Sequence, residues 1–304
     1  MTAVPSRRNI YVGIGLALLA VIIWSGNFMV ARGVIRQIPP VSLAFYRWLL
    51  GSLIILPIGF KSFKQEWPVI KRSWLYLLAV SLTGISLFNT FVYIGAHYTT
   101  AINLALIGTT SSPVFAIIMA RIFLGEKIGW LKAIGMLLCI SGVVFLISRG
   151  RVENLVNFHF TAGDGWVLLA AFSFAIYNTL VRKKPAAISP INFLRTTFCF
   201  GTMLLLPFFI IEYSSSPAVQ WTPGLFFIIL YLGLGASVIC FLFWNKALAN
   251  LGAGRTALFG NLIPVFSSIE AALILGEAFT VIHVVSMGLV FAGLITANWK
   301  YKQS

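Results

Sequence analysis

The sequence predicts an all-α integral membrane protein of ten transmembrane helices, arranged as a 5+5 repeat of inverted topology. Three observations predict it. Of the 304 residues, 59% are hydrophobic and 10% charged, with a mean hydropathy of +0.95, whereas charged residues make up about a quarter of a soluble globule. Uncharged apolar stretches of 22 residues at 10–31 and at 278–299 and of 48 residues at 73–120 are long enough to cross roughly 30 Å of hydrocarbon once or, in the last case, twice. Finally, SSPVFAIIMARIFLGE at 111–126 returns as LIPVFSSIEAALILGE at 262–277, so that Pro113 and Pro264, and Glu126 and Glu277, each stand 151 residues apart.

Taken in order, the first span covers 10–33. Arg7 and Arg8 before it resemble a twin-arginine leader, but the run exceeds a signal core and nine spans follow. The second covers 41–60. Spans at 74–97 and 101–124 divide the long uncharged stretch at AHYTTAIN, residues 96–103, where His97 and a polar cluster meet the interface. Cutting the rest at prolines and charge clusters gives 128–148, 164–182, 190–211, 221–248, 254–275 and 280–299. Runs of this length exclude the short alternating strands of a membrane barrel.

The net charge of +15 sits on alternate loops. With the N-terminus in the cytoplasm, the inner segments hold fourteen bases: Arg7, Arg8, Lys61, Lys64, Lys71, Arg72, Lys127, Lys132, Arg182, Lys183, Lys184, Arg255, Lys300 and Lys302. The outer loops hold four, namely Arg32, Arg36, Arg149 and Arg151. That bias places both termini inside the cell. Bases scattered in this way form no stripe for nucleic acid. Cys139, Cys199 and Cys240 lie within spans without metal-ligand or disulfide spacing, and neither a cofactor nor a metal is expected.

The 151-residue offset also pairs Asn27 with Asn178, Gly84 with Gly235, Ser86 with Ser237, Tyr93 with Trp244 and Gly142 with Gly293. Residues 1–150 thus form a first repeat of spans 1–5 and residues 151–304 a second of spans 6–10. Five spans are an odd number, so the second copy enters the membrane from the opposite side. In agreement, the loop at Glu126 carries Lys127 and Lys132 while its partner at Glu277 carries no base. Inverted repeats that meet at one interface are the architecture of secondary transporters. Pro113 and Pro264, near the centres of spans 4 and 9, free the carbonyls of Thr109 and Gly260, and matched helix breaks of this kind point to a site at mid-depth.

The proline-containing fourth span ending in FLGE, its copy ending in ILGE, WSGNF at 24–28 and the five-plus-five layout resemble the drug/metabolite transporter superfamily, in particular bacterial ten-helix exporters with two EamA domains. The resemblance covers nearly the whole chain. It implies that spans 1–4 and 6–9 surround a central cavity, that spans 5 and 10 lie at the periphery, and that small metabolites, often amino acids, are exported across the cytoplasmic membrane.

The residues themselves supply candidate cavity faces. Ser86, Asn89, Tyr93 and His97 form one helical stripe on span 3, answered on span 8 by Ser237, Cys240 and Trp244. Trp24 and Asn27 on span 1, Thr110 on span 4, Ser173, Tyr177 and Asn178 on span 6, and Asn261 with Ser268 on span 9 complete the set; small polar residues also join helices to one another. Ionisable groups within spans are costly, which singles out Arg47, Arg195, Lys246 and Glu270. Arg47 in the outer part of span 2 and Arg195 in the inner part of span 7 are candidate gates or carboxylate hooks at either mouth, or anchors at helix ends, and Glu270 is a partner for Lys246 or a coupling group. Glu126 and Glu277 read as helix-opening turn residues. Flat aromatic surface with a positive balance favours a compact solute with an apolar part and a carboxylate, such as an amino acid, over an organic cation. Nucleotide-sugar or phosphate-ester exchange would call for several deep bases. An enzyme is disfavoured because His97, His159 and His283 are scattered. Monomer and homodimer both remain open.

Overall fold

Helix starts follow local chemistry. Pro40, Pro190 and Pro223 each open a helix, where the missing N–H costs nothing. Ser189 and Thr222 cap the second and third of these, and Thr161 with Asp164 forms a reciprocal capping box ahead of Ala162. The computed structural model describes residues 7–34, 37–58, 60–99, 101–126, 129–156, 161–275 and 280–298, with backbone only at 28–33, 61, 101–106, 109, 110, 113, 147, 267, 268, 271, 272, 274, 275 and 298. Among them every regular element is helical.

The first half comprises α1 (Arg7–Val34), α2 (Pro40–Ile55), α3 (Phe60–Arg72), α4 (Trp74–Ser81), α5 (Phe88–Tyr98), α6 (Ala101–Leu124) and α7 (Trp130–Ile147). After the one-turn α8 (Glu153–Val156), the second half comprises α9 (Ala162–Arg182), α10 (Pro190–Ser215), α11 (Pro223–Leu230), α12 (Cys240–Leu251), α13 (Ala253–Leu258), α14 (Ile263–Leu275) and α15 (Val281–Asn298). Five stretches are long and apolar enough to cross a bilayer: Arg7–Asn27, Trp74–Tyr98, Ala162–Arg182, Pro190–Ser215 and Pro223–Leu251. Pro40–Ile55, Val114–Leu124, Trp130–Leu146 and Val281–Ala297 are shorter apolar helices.

The second predicted span ends early. Pro57 follows α2 closely, and the chain turns into the amphipathic α3, which the sequence reading divided between a span end and a loop. Mid-helix irregularity falls ahead of Pro264, where it is expected, and also where no proline stands. The backbone of α6 runs on as a helix through Pro113, because a proline can bend a helix without ending it. Ahead of Pro264 a 3₁₀ turn, Phe259–Leu262, links α13 to α14. Wide π turns interrupt the two spans that carry the polar stripes, at Leu82–Leu87 between α4 and α5 and at Tyr231–Ile239 between α11 and α12. A shift of 151 residues carries the first π segment into the second.

Contacts between the halves come in exchanged pairs. A β-carbon added to Gly135 of α7 would lie 2.5 Å from the carbonyl oxygen of Gly293 on α15, while Ser286 Oγ donates to the carbonyl of Gly142 at 2.7 Å. Between these, Cys139 Sγ donates to the carbonyl of Val290. As numbers rise along α7 they fall along α15, so the two helices run antiparallel. The 151-residue shift turns the Gly135–Gly293 contact into Ser286–Gly142 and Cys139 into Val290. Small residues let these backbones touch. Likewise Thr99 Oγ1 donates to Asp164, and in the exchanged position a β-carbon on Gly13 would sit 2.9 Å from Cβ of Asn250.

α2 and α10 are tied along their length. Glu66 on α3 accepts from the backbone N–H of Ser189 at 2.8 Å, capping α10. Glu212 in the last turn of α10 accepts from the N–H groups of Val41 and Ser42 at 3.1 and 2.5 Å, capping α2. Midway, the hydroxyls of Ser52 and Thr202 meet at 3.0 Å. Glu126, read as a cap, instead pairs with Lys132 at 3.2 Å, since α7 opens at Gly129 without a side-chain cap. Glu277 lies outside the described residues.

Candidate functional site

Arg47 stands in the middle of α2 with 1% of its surface exposed. It is therefore an interior group rather than a helix-end anchor. Nε donates to Ser237 Oγ at 2.7 Å. Nη1 faces Asn89 Oδ1 at 2.9 Å, Tyr93 OH at 2.9 Å and Asn27 Oδ1 at 3.3 Å. Nη2 donates to the carbonyl of Ala236 at 3.0 Å. A guanidinium carries five N–H donors, so one Nη2 hydrogen has no described acceptor. Every partner is neutral, and no carboxylate among the described residues pairs with this charge.

The second π turn explains part of this arrangement. Its widened backbone leaves the Ala236 carbonyl available to two side chains, Arg47 and the indole Nε1 of Trp24, the latter at 2.8 Å. The first π turn offers the carbonyl of Thr83 to Ser173 Oγ of α9 at 2.8 Å. Each wide turn thus receives a donor from the opening helix of the other half.

Beside Arg47 lies a cavity of about 80 Å³, walled by α1, α2, α5, α6, α9 and the α12–α14 region. Space of that size exceeds the minimum for a single water several times over. Trp24, Asn27, Arg47, Asn89 and Trp244, all singled out from sequence, line it. Trp24 packs against Trp244 at 5.0 Å and edge-on to Phe174 at 5.9 Å, and Phe88 stacks on Phe174 at 4.3 Å. Asn89 turns Oδ1 to Arg47, and its buried Nδ2 has no partner among the described residues. The wall therefore combines aromatic faces with Arg47 and Asn89, one Nη2 hydrogen of the first and Nδ2 of the second having no acceptor among the described residues.

Other expected residues support the wall or lie elsewhere. Tyr93 holds Arg47. Tyr177 stacks behind Phe174 and donates to Asn245 Oδ1 at 2.6 Å, and Asn178 accepts from Trp244 Nε1 at 2.9 Å. Ser86 donates to the carbonyl of Gly201, a helix-packing contact, and Asn261 donates within its own turn to Leu258. Arg195 is 2% exposed beneath Phe63 and donates to the carbonyl of Ile58, while Nε and Nη1 have no partners among the described residues. Glu270 accepts from Ser25 Oγ at 2.6 Å, and Lys246 is exposed, so the expected Glu270–Lys246 pairing is replaced by a Ser25–Glu270 contact between α1 and α14. The side chains of Thr110 and Pro113 lie outside the described residues. Sequence reasoning missed Phe88, Gly108, Phe174, Phe241, Ala257 and Gly260 in the wall, because an apolar or small residue facing a cavity cannot be told from one facing lipid.

Apolar helices enclosing a small aromatic cavity with one unneutralised arginine define a multi-pass membrane protein of the transporter class. The model of the EamA-like transporter family matches residues 11–148 and again 161–299, and the chain belongs to that family. It is similar to an uncharacterized transporter of Archaeoglobus fulgidus, 29% identical over 270 residues covering 86% of this chain and 89% of the relative. Escherichia coli K12 has a relative named a probable amino-acid metabolite efflux pump, 26% identical with 92% of each chain covered. A solved crystal structure shares the fold, with a TM-score of 0.74 and 18% identity over 96% of both chains.

Proposed function

We propose that this protein exports compact amphipathic solutes, amino acids foremost, across the cytoplasmic membrane by alternating access. In this reading ten spans form two inverted sets of five, both termini are cytoplasmic, and the cavity beside Arg47 is the substrate site. The inverted arrangement is supported by the antiparallel α7–α15 pair with its exchanged contacts and by the repeat-related π turns.

The observation that carries the substrate class is the buried guanidinium in the cavity wall, which has no counter-ion among the described residues. Burying an unpaired charge is costly, and a solute carboxylate would supply the missing partner through Arg47 Nη2 and Asn89 Nδ2. Trp24 and Trp244 would take the apolar side chain or, through their faces, the ammonium. An organic cation would meet Arg47 with repulsion. A nucleotide sugar would call for more bases than Arg47, the one Lys or Arg in the described wall of the cavity. The names of two relatives, probable amino-acid metabolite efflux pumps at 27% and 26% identity, agree with the reading.

The test is efflux from preloaded proteoliposomes. Aromatic and branched amino acids should leave by a saturable route and support counterflow, while nucleotide sugars should not. Competition by organic cations with no effect of amino acids would overturn the assignment.

A further inference from the structure

The helix α3 presents two faces of opposite character. Ser62, Phe63, Glu66 and Ile70 face the protein: Ser62 Oγ accepts from Asn192 Nδ2 at 3.1 Å, Phe63 covers Arg195 at 4.9 Å, Glu66 caps α10, and Ile70 is buried. Phe60, Lys64, Trp67 and Lys71 stand at spacings of four, three and four, which is one helical stripe, and all are exposed. Arg72 and Trp74 extend it, and Lys64 Nζ lies 5.4 Å from the Phe60 ring. Aromatic and basic side chains thus alternate along an exposed face, while the carboxylate of Glu66 on the same helix is engaged on the opposite side.

We infer that this stripe is a docking surface for anionic phospholipid headgroups of the cytoplasmic leaflet. Bases on an amphipathic helix at a bilayer surface attract lipid phosphate, and tryptophan and phenylalanine settle at the headgroup boundary. Phe60 and Trp67, 56% and 50% exposed, suit that depth. Lys64 and Lys71 sit two turns apart on the same face, spaced to meet adjacent headgroups. Through Phe63 and Glu66 the same helix holds Arg195 and the start of α10, so a docked lipid would bear directly on that helix. The inference rests on the membrane orientation proposed above, and it is read out by lipid binding rather than transport, so it fails independently of the exporter assignment.

The purified full-length protein in neutral detergent micelles is titrated with fluorescent phosphatidylglycerol and, separately, with phosphatidylcholine. Phosphatidylglycerol should bind preferentially, and 0.5 M salt should weaken it. The Lys64→Gln/Lys71→Gln protein should lose roughly fivefold in affinity per base removed, whereas Lys64→Arg/Lys71→Arg should retain it. Equal binding of the two lipids, an undiminished preference in the glutamine variant, or full displacement by millimolar inorganic phosphate would overturn the inference. Should the glutamine variant fail to fold, the salt response and the arginine variant decide it.

Discussion

Nε of Arg47 lies 2.7 Å from Oγ of Ser237, joining the middle of α2 in one half to the wide turn of the other. Ser237 itself donates to the carbonyl of Leu232, five residues back, a spacing that only a π turn brings within reach. The cavity arginine is thus held by a backbone irregularity of the opposite repeat.

Replacing Arg47 with Gln should raise KM for amino-acid efflux at least about tenfold, because a charge-assisted bond to carboxylate contributes about 1.5–3 kcal/mol. Arg47→Lys keeps the charge but loses the planar fork that reaches Ser237, Asn89 and Ala236 together, so it should fall between. Efflux of the corresponding decarboxylated amines should not weaken in either variant, and proteoliposome kinetics with matched pairs would check this.

Trp244→Phe should preserve an aromatic wall while removing the donor to Asn178, whose Nδ2 already has no partner among the described residues. The cost should be about 1–3 kcal/mol of stability, with KM little changed. Trp244→Ala should weaken substrate binding as well. Thermal unfolding alongside efflux kinetics separates the two effects.

Gly84 and Gly235 are repeat partners with unequal surroundings. A β-carbon at Gly84 would stand 2.1 Å from Cδ2 of Tyr177, whereas at Gly235 the nearest atom is 3.6 Å away. Gly84→Ala should therefore destabilise by about 1–3 kcal/mol or more, and Gly235→Ala should stay within about 1 kcal/mol of the parent. Melting temperatures of the two variants in one detergent give the comparison.

The carboxylate caps at opposite ends of the α2–α10 pair should act independently. Glu66→Gln and Glu212→Gln are each expected to cost about 0.5–2 kcal/mol, and the double variant should equal their sum within about 0.5 kcal/mol. Unfolding of the single and double variants would show any departure from additivity.

The apolar runs and the 151-residue repeat made the helical membrane fold legible, since hydrocarbon thickness translates directly into run length. Trp24, Asn27, Asn89 and Trp244 were legible in the cavity through their stripes and repeat partners. The π turns were not, because they arise where Gly84 meets Tyr177 and where the Ala236 carbonyl serves two remote donors, relations set only by packing. Prolines drew attention in their place, yet the α6 backbone passes through Pro113. Glu66 and Glu212 escaped notice for a similar reason: each caps a helix more than a hundred residues away in sequence. Arg47 read as a mouth residue because its interior acceptors belong to three separate helical segments, α1, α5 and the second π turn.

At the crossing of α7 and α15, Cys139 meets Val290, its own counterpart. Any rocking that trades the roles of the two halves must leave such a self-matched point nearly at rest, as the fulcrum of a seesaw stays still while its ends change height. The glycine-lined crossing is thus suited to be a pivot, and side chains further from it would sweep the larger arcs.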